Sequence, residues 1–180
     1  MNIAKNILKM SAISLVIGLS ACSSSKSALP EFMVNPPKEE GIIYGSGEAQ
    51  KASFQLAKET ADTRACKEVA KVLNQRVKSV LSDFMSQSGA ELESAEVLEF
   101  VESTSKNVTD VSLTGCQIHK REHNEESSTV YSLARYDLKD AKSMIKDMAH
   151  KNLASKEALY NRFRADQALD KLDAEIDKLK

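Results

Sequence analysis

The chain has 180 residues, a formal net charge of −1 and hydrophobic residues at 42% of its positions, which suits one folded domain with extensions or two small domains. The nearly balanced charge, with no basic face and no interleaved aromatic residues, excludes a nucleic-acid-binding protein. Aromatic residues make up 5% of the chain and Trp is absent, so a stacking site for a sugar or a planar cofactor is not expected.

The N-terminus has the layout of a bacterial export signal. Lys5 and Lys9 precede an apolar run at residues 13–19, which is shorter than the roughly 20 residues of a transmembrane helix. The run ends in Leu-Ser-Ala-Cys at residues 19–22, which resembles the lipobox of bacterial lipoproteins. We therefore predict a signal peptide at residues 1–21 and lipidation of Cys22 with diacylglycerol and palmitate, because a thiol is needed to form the thioether. An ordinary secretory signal with a chance cysteine is the alternative.

The residues after Cys22 are predicted to form an acylated tether, residues 22–30, that is rich in serine. In the sorting rule of enteric bacteria, an Asp directly after the acylated cysteine favours retention in the inner membrane. Ser23 stands at that position, so we expect an outer-membrane location, on the periplasmic face or the cell surface.

A short strand is predicted after a proline-rich segment. Pro36 and Pro37 keep the chain extended, and residues 42–44, Ile-Ile-Tyr, have β propensity. The following Gly-Ser-Gly at residues 45–47 lacks the third glycine and the Lys-Ser/Thr pair of a phosphate-binding loop. We interpret it as a bulge or as a tight strand-to-helix turn.

Two helices are predicted next. Residues 52–87 contain no Gly or Pro, and Gly89 follows at the expected stop. Residues 91–106 form the second, more acidic helix, whose Glu residues we interpret as a solvated face near a helix N-terminus. The apolar stripe of the first helix has helical spacing and consists of Phe54, Ala57, Ala61, Ala65, Val69, Leu73, Val77, Val80 and Phe84.

The hydrophobic period then changes to that of strands. Residues 110–122 and 127–138 predict an antiparallel hairpin. Gly115 is the natural place for a bulge, because the alternation changes parity there. That bulge would put Cys116 and Ile118 on one face, toward a packed helix.

The remaining residues, 139–180, are predicted to be helical and highly charged. Leu169, Leu172, Ile176 and Leu179 form an apolar seam of only about two heptads, short of a confident coiled coil. Docking of a terminal helix on its own domain or on a neighbour is the alternative.

Two further cysteines remain if Cys22 is acylated. Cys66 and Cys116 are candidates for a disulfide in an exported protein. Two separate buried thiols are the alternative, and the sequence leaves both interpretations open.

No catalytic set is recognised, so an enzyme is not expected. No serine lies in a Gly-x-Ser-x-Gly elbow, and no cysteine–histidine pair is placed for nucleophilic chemistry. His119 and His123 have helical metal-site spacing, but in a strand they would be about 13 Å apart. We therefore assign neither a metal nor a cofactor.

A family resemblance rests on several of these segments. Pro36 and Pro37, residues 43–49 (Ile-Tyr-Gly-Ser-Gly-Glu-Ala), the long Ala-rich helix and residues 131–137 (Tyr-Ser-Leu-Ala-Arg-Tyr-Asp) together resemble the LPP-twenty lipoprotein family. That family includes small outer-membrane lipoproteins and the flagellar accessory lipoprotein FlgP, and the resemblance covers residues 30–148. It implies an α+β fold in which an antiparallel sheet wraps a long helix, similar to dodecin. The domain would span residues 31–150, with a charged amphipathic C-terminal helix at residues 151–180. No catalytic or flavin-binding residues are carried over.

The sequence therefore favours a non-catalytic structural or assembly component of the cell envelope, anchored to the outer membrane by lipid. Its expected partners are further copies of the chain or envelope proteins, with a flagellum-associated role as the sharper version. A periplasmic lipoprotein that binds a small molecule or a metal is the alternative.

Overall fold

The computed structural model describes residues 29–156 and 166–179, so the predicted signal peptide, Cys22 and most of the tether lie outside the described residues. The fold is α+β, with a three-stranded antiparallel sheet packed on one long helix. The elements are α1 (Glu31–Val34), β1 (Ile42–Gln50), α2 (Phe54–Gln87), α3 (Ala95–Gly115), β2 (Gln117–Asn124), β3 (Thr129–Asp137), α4 (Leu138–Ala154) and α5 (Asp166–Asp177).

Helix α2 is the long helix predicted from the apolar stripe. It begins where the Ser53 side chain accepts a hydrogen bond from the Leu56 N–H, and it ends before Gly89, whose φ is +69°. Two stripe positions differ from the prediction. Phe54 is 53% exposed because it lies in the first turn, and Leu81 takes the fully buried position beside Val80.

The sheet has the order β1-β3-β2, and α2 packs on one of its faces. The central strand β3 is buried on both sides, because Phe32 of α1 packs on Tyr131 and Leu133 on the opposite face. Strand β1 pairs with β3 over its whole length without a bulge. Strand β2 pairs with a register shift between Ile118 and Lys120.

The prediction for residues 110–122 is wrong in its first part. Helix α3 continues to Gly115, so residues 110–115 are helical and the predicted bulge at Gly115 does not exist. Packing overrides β propensity here, because Val108 and Ser112 are buried at helical spacing. The hydroxyl groups of Thr109 and Ser112 donate to carbonyl groups one turn back, which satisfies them inside the helix. The second strand of the predicted hairpin is confirmed as β3.

The interpretation of residues 45–47 as a bulge or turn is also wrong. Strand β1 runs straight through both glycines to Gln50. A Cβ on Gly45 would lie 2.5 Å from the Ala65 carbonyl oxygen, and one on Gly47 would collide with the backbone of Ala61 and Ala65. The glycines are therefore required for contact with α2, and their backbone is ordinary β-strand.

Helix α5 docks on its own domain. Leu172, Ile176 and Leu179 are buried in the same core as α2 and α4, and Leu169 packs at its margin. The helix is also held by polar contacts, since Lys146 Nζ lies 2.8 Å from an Asp177 carboxylate oxygen. The apolar seam is thus covered within the chain, which is the docking on its own domain that the sequence left open.

We predict that Gly47→Ala lowers the free energy of unfolding by about 3 kcal/mol, because the new methyl group meets the backbone of α2 rather than a flexible side chain. Urea unfolding followed by circular dichroism measures the loss. Ser46→Ala is the matched control, since Ser46 points to the opposite face of the sheet, and it should change stability by no more than about 0.5 kcal/mol. Equal stability of the two variants would contradict the close packing of β1 on α2.

Candidate assembly surface

Strand β1 is an edge strand of the sheet, and the side that faces away from β3 is paired with no other strand among the described residues. In an antiparallel pair, alternate residues turn both their N–H and C=O groups to the same side. The Ile42 N–H donates to the Glu39 carbonyl oxygen, and the Glu48 carbonyl oxygen accepts from Arg64 Nη1 at 2.6 Å. The backbone N–H and C=O groups of the even-numbered residues of β1 therefore point away from β3, and those of Tyr44 and Ser46 lie at the free edge.

Two open grooves line this edge, and we call them together the β1 groove. The larger has a volume of about 690 Å³ and is bordered by Pro36, Ile42, Tyr44 and, on α2, Val72. The smaller has a volume of about 480 Å³. Its wall is formed by Met33, Ser46, Gly47, Glu48, Arg64, Lys67, Glu68 and Lys71. The β1 groove thus offers space beside a strand edge along the flank of α2, as a fourth strand would require.

Tyr44 is fixed at the larger groove by a hydrogen bond. Its hydroxyl donates to a Glu39 carboxylate oxygen at 2.7 Å. Burial, together with this hydrogen bond and the negative charge of Glu39, raises the pKa of Tyr44 above its usual value of 10.0. The hydroxyl therefore stays protonated and holds the segment before β1 against the strand.

The opposite edge of the sheet, on β2, is protected against pairing. The register shift at Ile118 and Lys120 twists the strand locally. Lys120 and Glu122 form an exposed ion pair at 2.7 Å on the outer face. A bulge and charged side chains are devices that blunt an edge strand, and β1 has no bulge and a single charged residue, Glu48.

An ion pair attaches β2 to α2. Arg121 Nε and Nη2 donate to the two carboxylate oxygens of Asp62 at 2.8 and 2.9 Å, and the Ser132 hydroxyl donates to the same carboxylate at 2.7 Å. Burial alone would raise the pKa of Asp62, but the hydrogen bonds from Arg121 and Ser132 lower it below its usual 3.8. No local pattern indicates this pair, because its partners are 59 residues apart along the chain.

Cys66 and Cys116 are bonded in a disulfide with a Cα–Cα distance of 5.9 Å. The bond joins α2 to the residue that precedes β2, and no free thiolate remains at either position for nucleophilic chemistry. Closing a loop of 50 residues stabilises the fold by about 4 kcal/mol in the chain-entropy model.

His119 and His123 lie on opposite faces of the sheet because His119 is the extra residue of the bulge between Ile118 and Lys120. The His119 ring contacts Tyr44 edge-on at a centroid distance of 6.0 Å, whereas the His123 ring packs against Phe54 at 4.8 Å. The two rings therefore do not converge on one ion. Within residues 29–156 and 166–179, no three His, Cys, Asp or Glu side chains are grouped as metal ligands.

Cys22, the predicted lipidation site, lies outside the described residues. None of the described helices has the length and apolar character needed to span a bilayer.

Comparison with protein-family models and with curated proteins finds no match to the chain. The LPP-twenty resemblance therefore stays a prediction from the sequence.

We predict that the ionised Asp62 carboxylate stabilises the fold at neutral pH and that this contribution is lost in acid. Because the pKa of Asp62 is lower in the folded than in the unfolded protein, its contribution is full above about 3.8 and is lost as the pH falls through the folded value. The loss should reach at most about 1 kcal/mol, since solvent screens the 44% exposed Arg121 side chain. Urea unfolding at several acidic pH values measures it.

Asp62→Asn should remove this part of the acid dependence, and Arg121→Gln should remove most of it. The double variant should lose no more of the acid dependence than Asp62→Asn alone loses, because both changes delete the same interaction. An unchanged acid dependence in Asp62→Asn would contradict the assignment.

Proposed function

We propose that the protein is a non-catalytic lipoprotein of the bacterial outer membrane, acylated on Cys22, that acts as a structural or assembly component of the cell envelope. The observation that carries the proposal is the order of features at the N-terminus: a basic segment, a short apolar run and Leu-Ser-Ala-Cys at residues 19–22. The described body supports it, because its two spare cysteines are bonded as in exported proteins.

We also propose membership of the LPP-twenty family and a dodecin-like arrangement of the sheet. Support comes from the packing of one three-stranded antiparallel sheet, β1-β3-β2, on the single long helix α2. The proposed location is the cell envelope as a whole.

Assembly would use the free edge of β1, with a strand of a second copy as the added strand. The C-terminal helix is the weaker candidate, because its apolar residues Leu172, Ile176 and Leu179 are buried within the chain. The edge of β2 carries a bulge and charged side chains, which protect it from pairing. The edge of β1 has no bulge and a single charged residue, Glu48. Backbone hydrogen bonds along Tyr44 and Ser46 would supply the affinity, as in other cases of strand addition.

We predict that Cys22→Ser moves the protein from the outer-membrane fraction to the soluble periplasmic fraction and abolishes its labelling with radioactive palmitate. The reason is that serine cannot form the thioether that carries the lipid. Cys66→Ser with Cys116→Ser is the control, since it also replaces cysteines, those of the disulfide, but should leave fatty-acid labelling intact. Unchanged labelling of Cys22→Ser would overturn the lipoprotein proposal.

We predict that Ser46→Pro abolishes self-association while leaving the fold intact. Proline at this position removes an N–H that points away from β3, so the β1–β3 ladder keeps its hydrogen bonds. Chemical cross-linking of intact outer membranes, followed by detection of multimers, measures the effect, and circular dichroism confirms folding.

The matched control for this experiment is His123→Pro, which blocks the other edge of the sheet. Tyr131 bonds toward β2 opposite Glu122, so the His123 N–H points outward. His123→Pro should leave the multimers unchanged. Multimers that survive Ser46→Pro, or that never form in the parent protein, would contradict assembly through β1.

A further inference from the structure

The described residues before β1, from Leu29 onward, pack on the outer face of the sheet. Pro30 is buried, and Phe32 of α1 is only 5% exposed because it packs on Tyr131 and Leu133 of the outer sheet face. The Lys120 ammonium group lies 5.4 Å from the centre of the Phe32 ring on the same face. The tether therefore joins the body at a defined point on the outer face of the sheet.

The covalent distance from this point to the anchor is short. Seven residue steps separate Leu29 from Cys22, and a fully extended chain covers at most about 3.6 Å per residue, or about 25 Å in total. A lipid on Cys22 would therefore hold Leu29, two residues before α1, within about 25 Å of the membrane surface. No other described element is tied this closely to the anchor along the chain.

Apolar side chains are exposed at this same place. Val34 is 60% exposed and Leu29 is 53% exposed, which are high values among the large apolar residues of the described chain. Val34 lies two residues after Phe32 in a helix, about 200° around the axis, and so points away from the sheet that Phe32 contacts. Exposed apolar side chains are common singly, but this pair flanks the anchored end of the body.

We propose that Leu29 and Val34 form a membrane-docking patch that inserts into the lipid surface and sets the orientation of the body. This inference rests on the proposed acylation of Cys22. The occupant is a lipid surface because the tether brings the patch within reach of one. Interfacial segments typically bury their apolar face to about 5–10 Å in the headgroup region.

The charges around the patch are compatible with a lipid surface. Glu31 is the acidic residue of α1, and its carboxylate accepts a hydrogen bond from the Asn35 side chain at 2.6 Å. That bond lowers the cost of placing the carboxylate near headgroups. Lys120 lies beside Phe32 and offers an ammonium group in the same region.

Spin labelling of the full acylated protein in phospholipid vesicles tests the proposal. Cys66 and Cys116 are bonded and the Cys22 sulfur would carry the lipid, so a cysteine introduced by Val34→Cys is the single free thiol. We expect the ratio of its accessibility to oxygen over a water-soluble nickel chelate to rise several-fold over that of the same label in the soluble Cys22→Ser version. Leu29→Cys should show the same rise.

The matched control is Val111→Cys, because Val111 is 43% exposed on α3 and has no short link to the anchor. Its label should show the same accessibility ratio in vesicles and in solution. If the protein binds vesicles but the label at Val34 stays as water-accessible as the label at Val111, the docking patch is wrong and the anchor stands. If the protein does not bind vesicles, the anchor itself fails and the patch fails with it.

Discussion

The close contact of strand β1 with helix α2 is the constraint on which the rest of the fold depends. Gly45 and Gly47 lie directly on the backbone of α2, opposite Ala61 and Ala65, which are fully buried. With no side chain between them, the strand and the helix approach as closely as their backbones allow. Strand β3 then pairs on one side of β1 and covers α2 with Val130, Ser132 and Ala134, which leaves the other side of β1 open.

Helix α2 is long enough to pack both on the sheet and on the other helices. The sheet packs on the alanines of its first half. Helices α3 and α5 pack on its second half, which has larger side chains such as Leu73, Leu81 and Phe84. The small residues allow the sheet to approach the helix closely, and the large residues fill the wider space between the helices. The disulfide at Cys66 lies near the change from one layer to the other and ties β2 to the helix there.

Much of this fold could be predicted because its signals are local. The spacing of apolar residues predicted the bounds of α2 to within two residues, and β-branched and aromatic residues predicted β3. The predictions fail where contacts with residues distant in the sequence determine the local structure. Residues 110–115 are helical because Ser112 fits the core, and the glycines of β1 contact helix residues 14 or more positions away along the chain. The register shift that separates His119 from His123 depends on pairing with β3, and the Asp62–Arg121 pair depends on the docking of β2; neither leaves a local pattern.

The proposed anchor and the free edge of β1 would act together. A single added strand is a small interface, and small interfaces are usually weak and transient in solution. Acylation at Cys22 would confine all copies to one surface, and a docked α1 would give them one orientation, so that the edges of β1 lie at the same height above the lipid. Confinement of this kind raises the effective concentration of partners without any new contact. A strand edge too weak to hold soluble copies together would then be sufficient to assemble anchored ones, which is why the membrane belongs in the cross-linking experiment.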